Sequence, residues 1–238
     1  MKMVDFKNFI VLENDDYILI NKPSDIPSLD ERNGEGANIL RMAKEYSPDA
    51  QICHRLDKET SGILAIAKNP EAYRNLSMQF EHREVKKIYH AVSDGIHKFD
   101  NQHVNLPILS LSGGAVKIDR AKGKPAETIF NTAKVFARHT LIECFPVTGR
   151  MHQIRIHLST LKAPIVCDPQ YGGPLVFLSE IKKKFNLKKD TEEFPLIQRV
   201  ALHAWSLEFK SLSGEPVRAE APYPKDFAVL VKQLEKYL

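Results

Sequence analysis

Apolar and polar positions recur along the chain in patterns that predict a series of short strands and helices. Apolar pieces at 11–12 and 17–20 flank the turn-forming residues 14–16, which together predict a β-hairpin. Apolar residues at helical spacing over 36–46 predict a helix. Asn69-Pro70 combines an N-cap residue with a proline at the first helical position, so we expect a second helix to begin there.

The second half of the chain continues with strands and helices of similar length. We expect strands at 88–92, 165–166 and 200–209, and a β-hairpin from 128–136 and 140–147. The region 94–126 is irregular, with short strands such as 115–118. We expect a basic surface helix at 178–189 and a closing helix at 224–238. The segment 151–162 alternates as a strand would, but it also carries apolar residues at helical spacing. We expect a helix, because Gly149 precedes the segment and Pro164 stops it.

These elements predict an α+β fold. The expected strands outnumber the helices and most are joined as hairpins, which favours a mostly antiparallel, mixed β-sheet flanked by helices and loops. At 238 residues, the chain is long enough for one large domain or two small ones, and we expect a single domain spanning 1–238.

The composition mainly excludes some classes of protein and some kinds of site. No apolar run approaches the ~18–20 residues that span a bilayer, and the early acidic residues do not fit a secretory signal. The three cysteines are widely spaced, which suggests neither a disulfide framework nor a zinc site, so we expect a cytoplasmic protein without a metal. A net charge of +4 is weak support for a polyanionic partner, because many enzymes carry as much. No extra apolar face is visible, so we expect a monomer.

Asp57 stands in the most unusual stretch, HRLDKETSGILAIAK at 54–68. Capping a turn is the commonest use of an aspartate in a loop. Asp57, however, lies close to Arg55 and to apolar residues, and a carboxylate beside an apolar wall needs a cationic partner to stay charged. The tetrad 54–57 therefore leaves two interpretations open, a turn cap and a catalytic carboxylate.

A second charged group spans 149–155 and contains two arginines, a histidine and a glutamine. It fits the solvated start of a helix, and it equally fits a set of donors for a phosphate or a carboxylate. Tyr89 lies on the expected strand 88–92, where a core position is the more common use of a tyrosine.

Taken together, these motifs resemble those of the RluA-type pseudouridine synthases. The stretch 54–68 is similar to the catalytic signature of that family, and GRMHQIRIHLSTLKAPIVCDPQYGG at 149–173 is similar to its second signature. Shorter matches occur in the family's order at 21–23, 87–91, 123–128, 202–204 and 222–224.

The resemblance implies an isomerase that converts uridine to pseudouridine in structured RNA, such as ribosomal or transfer RNA, with a central RNA-binding cleft and no cofactor or metal. Asp57 matches the catalytic aspartate, which attacks either the sugar C1′ or the uracil C6. Arg155 matches the basic residue that pairs with that aspartate, and Tyr89 matches the tyrosine that stacks on the target base. Arg55 matches the residue that enters the RNA stack, and Leu202 matches an apolar residue lining the pocket.

Further residues are assigned to substrate binding because they belong to the two signatures: His54, Thr60, Arg150 and Gln153. The sequence departs from the family at two places. Many members carry a small RNA-binding module before the catalytic domain, whereas we expect no separate N-terminal RNA-binding module here. A glycine often follows the Lys-Pro pair in the family, whereas Ser24-Asp25 stands there in this sequence, which puts the conformation of that loop in doubt. The basic segment 178–189 resembles an insertion. It either contacts the substrate or makes the surface more soluble.

Two other functions remain compatible with the motifs. A non-catalytic RNA-binding or chaperone protein on the same fold would not need Asp57. A hydrolase of N-glycosidic bonds would need a second acid, and no paired carboxylates are visible in the sequence.

Overall fold

A computed structural model of the chain describes residues 5–30, 36–187 and 191–237. The helices in these residues are α1 Ile39–Tyr46, α2 Pro70–Glu81, α3 Gln153–Thr160, α4 Leu178–Ile181 and α5 Lys225–Lys236. The strands are β1 Ile10–Glu13, β2 Tyr17–Lys22, β3 Gln51–Ile52, β4 Ser61–Ala67, β5 Lys86–Asp94, β6 Gln102–Asn105, β7 Ile108–Ser110, β8 Val116–Ile118, β9 Glu127–Val135, β10 His139–Pro146, β11 Leu202–Lys210 and β12 Pro216–Glu220. A 3₁₀ turn at Phe6–Phe9 precedes β1.

The chain divides into two compact units that are interleaved along the sequence. The first unit comprises Met1–Tyr89 and His203–Pro222, and the second comprises His90–Leu202 and Tyr223–Leu238. β5 begins in the first unit and ends in the second, whereas β11 does the reverse. The organisation as one catalytic domain stays a prediction.

The first unit is built on a mixed, mostly antiparallel sheet. β1, β2, β4 and β11 lie side by side, with β3 pairing to β4 and β12 to β11. β11 pairs with β4 in parallel, with His203 opposite Ser61, whereas β1, β3 and β12 pair antiparallel with their neighbours. All seven residues of β4 are buried, as expected for a central strand covered on both faces. Its apolar run SGILAIA thus forms the centre of this unit's core.

Gly62 allows the close approach of β11 to β4. Its φ of +118° lies in a region that L side chains rarely adopt. A Cβ atom at this position would overlap the backbone carbonyl of Ala204 in β11. The neighbouring pair, Ser61 and His203, is buried and joined by a hydrogen bond of 2.9 Å between Oγ and Nδ1.

The second unit contains the antiparallel hairpin β9–β10, with β6 along the other side of β9. β7 and β8 form a separate two-stranded hairpin. Ile108 and Val116 from this hairpin belong to a buried cluster with Ile156 of α3. The hairpin is thereby packed on the helix that carries the second signature.

Most of the expected elements are confirmed. They include the hairpin β1–β2, α1, the hairpin β9–β10, and α3 rather than a strand after Gly149. α2 begins at Pro70, and the Asn69 side chain accepts a hydrogen bond from the N–H of Ala72. The α+β class is confirmed by these elements and by the sheets they form.

The basic helix expected at 178–189 is wrong beyond Ile181. α4 has only four residues, and Lys182 is already extended. Lys184 has a φ of +57°, which also does not continue a helix. Residues 188–189 lie outside the described residues.

The strand expected at 165–166 is reduced to a single bridge between Ser93 and Ile165. None of the described helices is long and apolar enough to cross a bilayer.

Candidate active site

Asp57 lies in the short turn that connects β3 with β4 in the first unit. The N–H of Thr60 donates to the carbonyl oxygen of Asp57 at 3.1 Å and closes the turn. The preceding residue, Leu56, is buried, and its N–H and C=O both bond the hydroxyl of Ser28, at 3.1 and 2.9 Å. The backbone is therefore held on both sides of Asp57, whose side chain lies at a half-buried position.

Lys22 holds the same turn from the other side. Its ammonium is fully buried and donates to the carbonyl oxygens of Pro23, Ile26 and Lys58, at 2.8, 2.9 and 3.1 Å. An ammonium has three N–H donors, and three backbone acceptors match that number. Because Lys58 follows Asp57 directly, Lys22 ties the turn to the loop after β2.

The departure at Ser24-Asp25 leaves the loop in a glycine-like conformation. Asp25 has a φ of +67°, in the left-handed region, which aspartate tolerates better than most residues. Its N–H donates to the carbonyl of Lys58 at 2.9 Å. The residue that replaces the expected glycine therefore keeps a bond to the Asp57 turn.

His54 has a structural contact that its assignment to substrate binding did not anticipate. Its Nε2 accepts a hydrogen bond from the N–H of Ala65 in β4 at 3.0 Å, and its ring lies 4.7 Å from that of Phe80. Burial, together with the nearby Lys87 ammonium, lowers the pKa of His54 to about 3. The neutral ring thus anchors the tetrad to β4, and a role in substrate binding stays a prediction.

The other predicted residues of the first unit differ in exposure. Arg55 is exposed, Tyr89 is half-buried and packs against the core of the first unit, and Thr60 is buried. Burial lowers the pKa of Lys87, two residues before Tyr89 on β5, to about 8. The exposure of Arg55 is compatible with its predicted entry into RNA, whereas Thr60 reaches no surface from which to bind one.

Gln153 fixes the junction between β10 and α3 in the second unit. Its amide nitrogen donates to the carbonyl of Glu127 and the hydroxyl of Thr128, at 2.8 and 2.9 Å. Its amide oxygen accepts from the hydroxyl of Thr148 and the N–H of Arg150, at 2.7 and 3.0 Å. All four hydrogen-bonding positions of the amide are used. Substrate binding by Gln153 would therefore require these bonds to break.

Arg150 is half-buried beside this junction, and its Nε donates to the carbonyl of Pro125 at 3.1 Å. Its assignment to substrate binding stays a prediction.

Arg155 lies in α3 and forms a buried, two-pronged ion pair. Nε donates to Oδ2 of Asp168 at 2.7 Å, and Nη2 donates to Oδ1 at 2.8 Å. Nη2 also contacts Oε1 of Gln170 at 3.2 Å. Asp168 is fully buried and Arg155 is 4% exposed. Both bonds to Asp168 come from the edge of the guanidinium that carries Nε and Nη2, so they fix the plane of the group.

Asp168 was not assigned a role from the sequence. The available signal was its place in CDPQYGG, within the second signature, together with the rule that a buried arginine needs an acid. Sequence spacing did not indicate which acid would fold back onto α3. Arg199 and Asp226 form a similar two-pronged pair elsewhere in the second unit, at 2.7 and 3.1 Å.

Tyr171 links Arg155 to the hairpin β7–β8. The Arg155 guanidinium lies 5.0 Å from the centre of the Tyr171 ring, a distance typical of a cation–π contact. The Tyr171 hydroxyl accepts from the N–H of Val116 in β8 at 3.3 Å and bonds Nδ1 of His152 at 2.9 Å. His152 has a φ of +52° at the start of α3.

Leu202 is buried at the start of β11. Its carbonyl oxygen accepts from Nη1 of Arg199 at 3.3 Å. A place in the uridine pocket stays a prediction for this residue.

The predicted site residues are divided between the two units. The first unit carries His54, Arg55, Asp57, Thr60 and Tyr89, and the second carries Arg150, Gln153, Arg155 and Leu202. Within each unit the signature residues are held by hydrogen bonds and ion pairs. The pairing of Asp57 with Arg155 stays a prediction.

A family model described as RNA pseudouridylate synthase matches residues 16–160 of the chain. The chain belongs to this family. The resemblance of its signatures to the RluA-type pseudouridine synthases is confirmed by this match and by curated relatives.

Two of these relatives are ribosomal large subunit pseudouridine synthases. The C enzyme of Buchnera aphidicola subsp. Baizongia pistaciae is 38% identical over 213 residues, covering 86% of this chain and 63% of the relative. The D enzyme of Neisseria meningitidis serogroup B is 39% identical over 236 residues, covering 94% of this chain and 60% of the relative. The chain therefore spans about three fifths of the length of these two pseudouridine synthases.

A solved structure of Human RNA Pseudouridylate Synthase Domain Containing 4 shares the fold. Its TM-score is 0.72 at 22% sequence identity, covering 97% of this chain and 94% of that chain. The pseudouridine synthase fold predicted from the motifs is thereby confirmed.

Proposed function

We propose that this chain is an RNA pseudouridine synthase that isomerises uridine in structured RNA. In this reaction the N1–C1′ bond of uridine breaks, the base turns, and a C5–C1′ bond forms. C5 loses a proton and N1 gains one, so the balance of atoms requires no co-reactant.

The Asp57 turn carries the proposal. A nucleophile must be held in place before it reacts, and Ser28, Lys22 and Thr60 hold the backbone around Asp57. The turn lies within the residues that match the family. Asp57 is the nucleophile in this account, and attack on the sugar C1′ and on the uracil C6 are both compatible with it.

Arg155 is the cationic partner of Asp57 in this proposal. Asp168 engages Nε and Nη2 and so sets the orientation of the guanidinium. A fixed cation beside Asp57 favours the ionised carboxylate that nucleophilic attack needs. The pair with Asp168 supports this role because a buried arginine in a fixed plane loses little freedom when it binds a second acid.

Base flipping explains the remaining assignments. A stacked uridine is inaccessible, so it must leave the RNA stack at a cost of a few kcal/mol. We assign stacking on the flipped base to Tyr89, replacement of the base in the RNA stack to Arg55, and an apolar wall of the pocket to Leu202. The exposure of Arg55 and the partial burial of Tyr89 support these assignments.

Large-subunit ribosomal RNA is the first substrate to test, because the curated relatives are ribosomal large subunit pseudouridine synthases. Transfer RNA is the second. We further propose that the protein acts as a monomer in the cytoplasm.

The direct experiment incubates the protein with an unmodified large-subunit ribosomal RNA transcript and measures pseudouridine. Wild type is expected to form product, and Asp57→Asn is expected to lower the rate by about 10³-fold or more, because the nucleophile is lost. Asp49→Asn is the matched control, since Asp49 is an exposed aspartate of the same unit and should leave the rate unchanged.

Two results would contradict the proposal. Release of free uracil by wild type would indicate cleavage of the N-glycosidic bond instead of isomerisation. RNA binding without product from either ribosomal or transfer RNA would indicate a non-catalytic RNA-binding protein.

A further inference from the structure

The second unit contains a large groove formed by residues outside both signatures. Its volume is about 880 Å³, within the range of ~300–1,000 Å³ that accommodates a small organic ligand. One side is formed by α4 and the residues that follow it, and another by the turn between β9 and β10. Leu234 and Tyr237, at the end of α5, also line it.

The rim of this groove is basic. Arg138, Lys182, Lys183 and Lys184 line it, against two carboxylates, those of Asp94 and Glu180. None of these four cations forms an ion pair with a described residue at salt-bridge distance. The charge imbalance favours an anionic ligand, held by ammonium and guanidinium groups that remain available to solvent.

The two carboxylates of the groove offset only two of its four positive charges, and each also contacts a group outside those four cations. Oε2 of Glu180 accepts from the N–H of Phe177 at 3.2 Å. Asp94 lies 4.0 Å from Nε2 of His139. Burial lowers the pKa of His139, so its ring adds no positive charge at neutral pH.

Apolar and aromatic groups form the rest of the lining. Phe136 and Leu234 are buried at the base, Phe185 and Tyr237 are half-buried, and Leu175 is 51% exposed. Cations beside partly exposed aromatic rings are typical of surfaces that hold single-stranded nucleic acid, because bases stack on the rings while the cations contact the phosphates. A purely solubilising surface would not need the exposed leucine and the aromatic rings beside the lysines.

We propose that this groove binds the sugar-phosphate backbone and an unpaired base of the RNA substrate, at a nucleotide remote from the target uridine. The proposal rests on the proposed function, because it takes the RNA substrate as the ligand. It gives the segment 178–187 a role in binding, without a role in the isomerisation.

Within the second unit, β10 separates the groove from the second signature. The strand begins at His139 in the groove and ends at Pro146, just before the signature that starts at Gly149. Its eight residues extend about 24 Å at ~3.4 Å per residue. We therefore expect the groove to contact RNA outside a short stem-loop that is bound at the signature residues.

The test compares two RNAs that share one target stem-loop, one of them extended by about a dozen nucleotides on each side. The variant Lys182→Gln/Lys183→Gln/Lys184→Gln removes three charges from the groove. The matched control, Lys44→Gln/Lys98→Gln/Lys232→Gln, removes three exposed lysines elsewhere. Dissociation constants are measured by fluorescence anisotropy over a series of KCl concentrations, and thermal melting checks that both variants fold.

For the extended RNA, the groove variant is expected to bind about tenfold more weakly at 0.1 M KCl. Its slope of log Kd against log salt should fall by about 2, since each phosphate contact contributes ~0.7–0.9 to that slope. The short RNA should show less than a twofold change with either variant. Arg138→Gln, on another wall of the groove, should reproduce about one third of the change in slope.

Three results would overturn the proposal: an unchanged slope for the extended RNA, an equal loss for the short RNA, or an equal loss in the control. A change in oligomeric state, with RNA affinity intact, would assign the groove to a protein contact and overturn it as well. Pseudouridine formation measured in parallel separates the two proposals. Product with an unchanged salt slope refutes the groove alone, whereas a groove-dependent slope without product refutes the enzyme assignment alone.

Discussion

The pair of Arg155 with Asp168 predicts a large loss of stability on removing the acid. Asp168→Ala leaves a buried guanidinium without its counter-ion, which costs about 3–5 kcal/mol of unfolding free energy. Urea denaturation measures this. Glu220→Ala is the control, because the pair of Arg218 and Glu220 has the same 2.7 Å contact but is exposed, and should cost no more than about 1 kcal/mol. Equal losses in the two variants would contradict the argument from burial.

Arg155 was identified from the sequence because it lies in a signature, but its acid partner was missed because contacts between distant residues have no spacing rule. His54 and Gln153 also belong to signatures and were assigned to substrate binding, yet their polar atoms bond the backbone of β4 and the β10–α3 junction. A motif identifies residues that can carry chemistry, but it does not distinguish a residue that contacts the ligand from one that supports the fold.

His54 predicts a dependence of stability on pH. Its pKa is lowered to about 3 in the folded state but is about 6.5 in the unfolded state. Between these values the unfolded chain binds the proton and the folded chain does not, so stability is full above pH 6.5 and falls as pH decreases. The maximum slope is about 1.4 kcal/mol per pH unit.

The measurement compares wild type with His54→Asn by urea denaturation at pH 7.5 and pH 5. From pH 7.5 to pH 5, the free energy of unfolding of wild type should fall by about 2 kcal/mol more than that of the variant. Contributions from the other histidines cancel because both proteins contain them. If the free energy of unfolding changed equally with pH in the two proteins, the pKa of His54 would not be lowered by folding.

At the scale of elements, local signals predicted most helices and hairpins. The Asn69-Pro70 start of α2 and the choice of helix for α3 were correct because caps and helix stops act within a few residues. β12 and β6 were not predicted, because strands of five and four residues contain too few apolar positions to stand out from the loops around them. The helix expected at 178–189 ends at Ile181, because Lys182 is extended and Lys184 has a φ of +57°. Apolar spacing alone did not reveal this interruption, since a short helix depends on its tertiary contacts.

The pairing of β4 with β11 predicts that Gly62 cannot be replaced. Gly62→Ala adds a methyl group against the Ala204 carbonyl and imposes a positive φ on alanine, so we expect a loss of about 3 kcal/mol or more, or failure to fold. Gly214→Ala provides the comparison. Gly214 has a φ of +86° but open space around it, so only the backbone strain of about 1 kcal/mol should appear. Similar melting temperatures for the two variants would refute the steric argument.

At the scale of the whole molecule, the pattern of apolar and polar positions predicted the fold class, and the two signature motifs predicted the family. The interleaving of two units did not follow, because each unit is assembled from separate segments of the chain. A pattern read along the sequence detects neighbours, whereas β11 joins β4 across more than a hundred residues. The catalytic signature lies in the first unit and the second signature in the other. The proposed mechanism therefore depends on both units.

The proposed function requires that this protein makes pseudouridine through Asp57. The most direct measurement maps pseudouridine at single-nucleotide resolution in ribosomal and transfer RNA from cells lacking the gene, complemented with wild type, Asp57→Asn or Asp49→Asn. We expect one or more uridines to be modified with wild type and with Asp49→Asn, and to remain unmodified with Asp57→Asn. An identical map in all four strains, or restoration of every site by Asp57→Asn, would contradict the account.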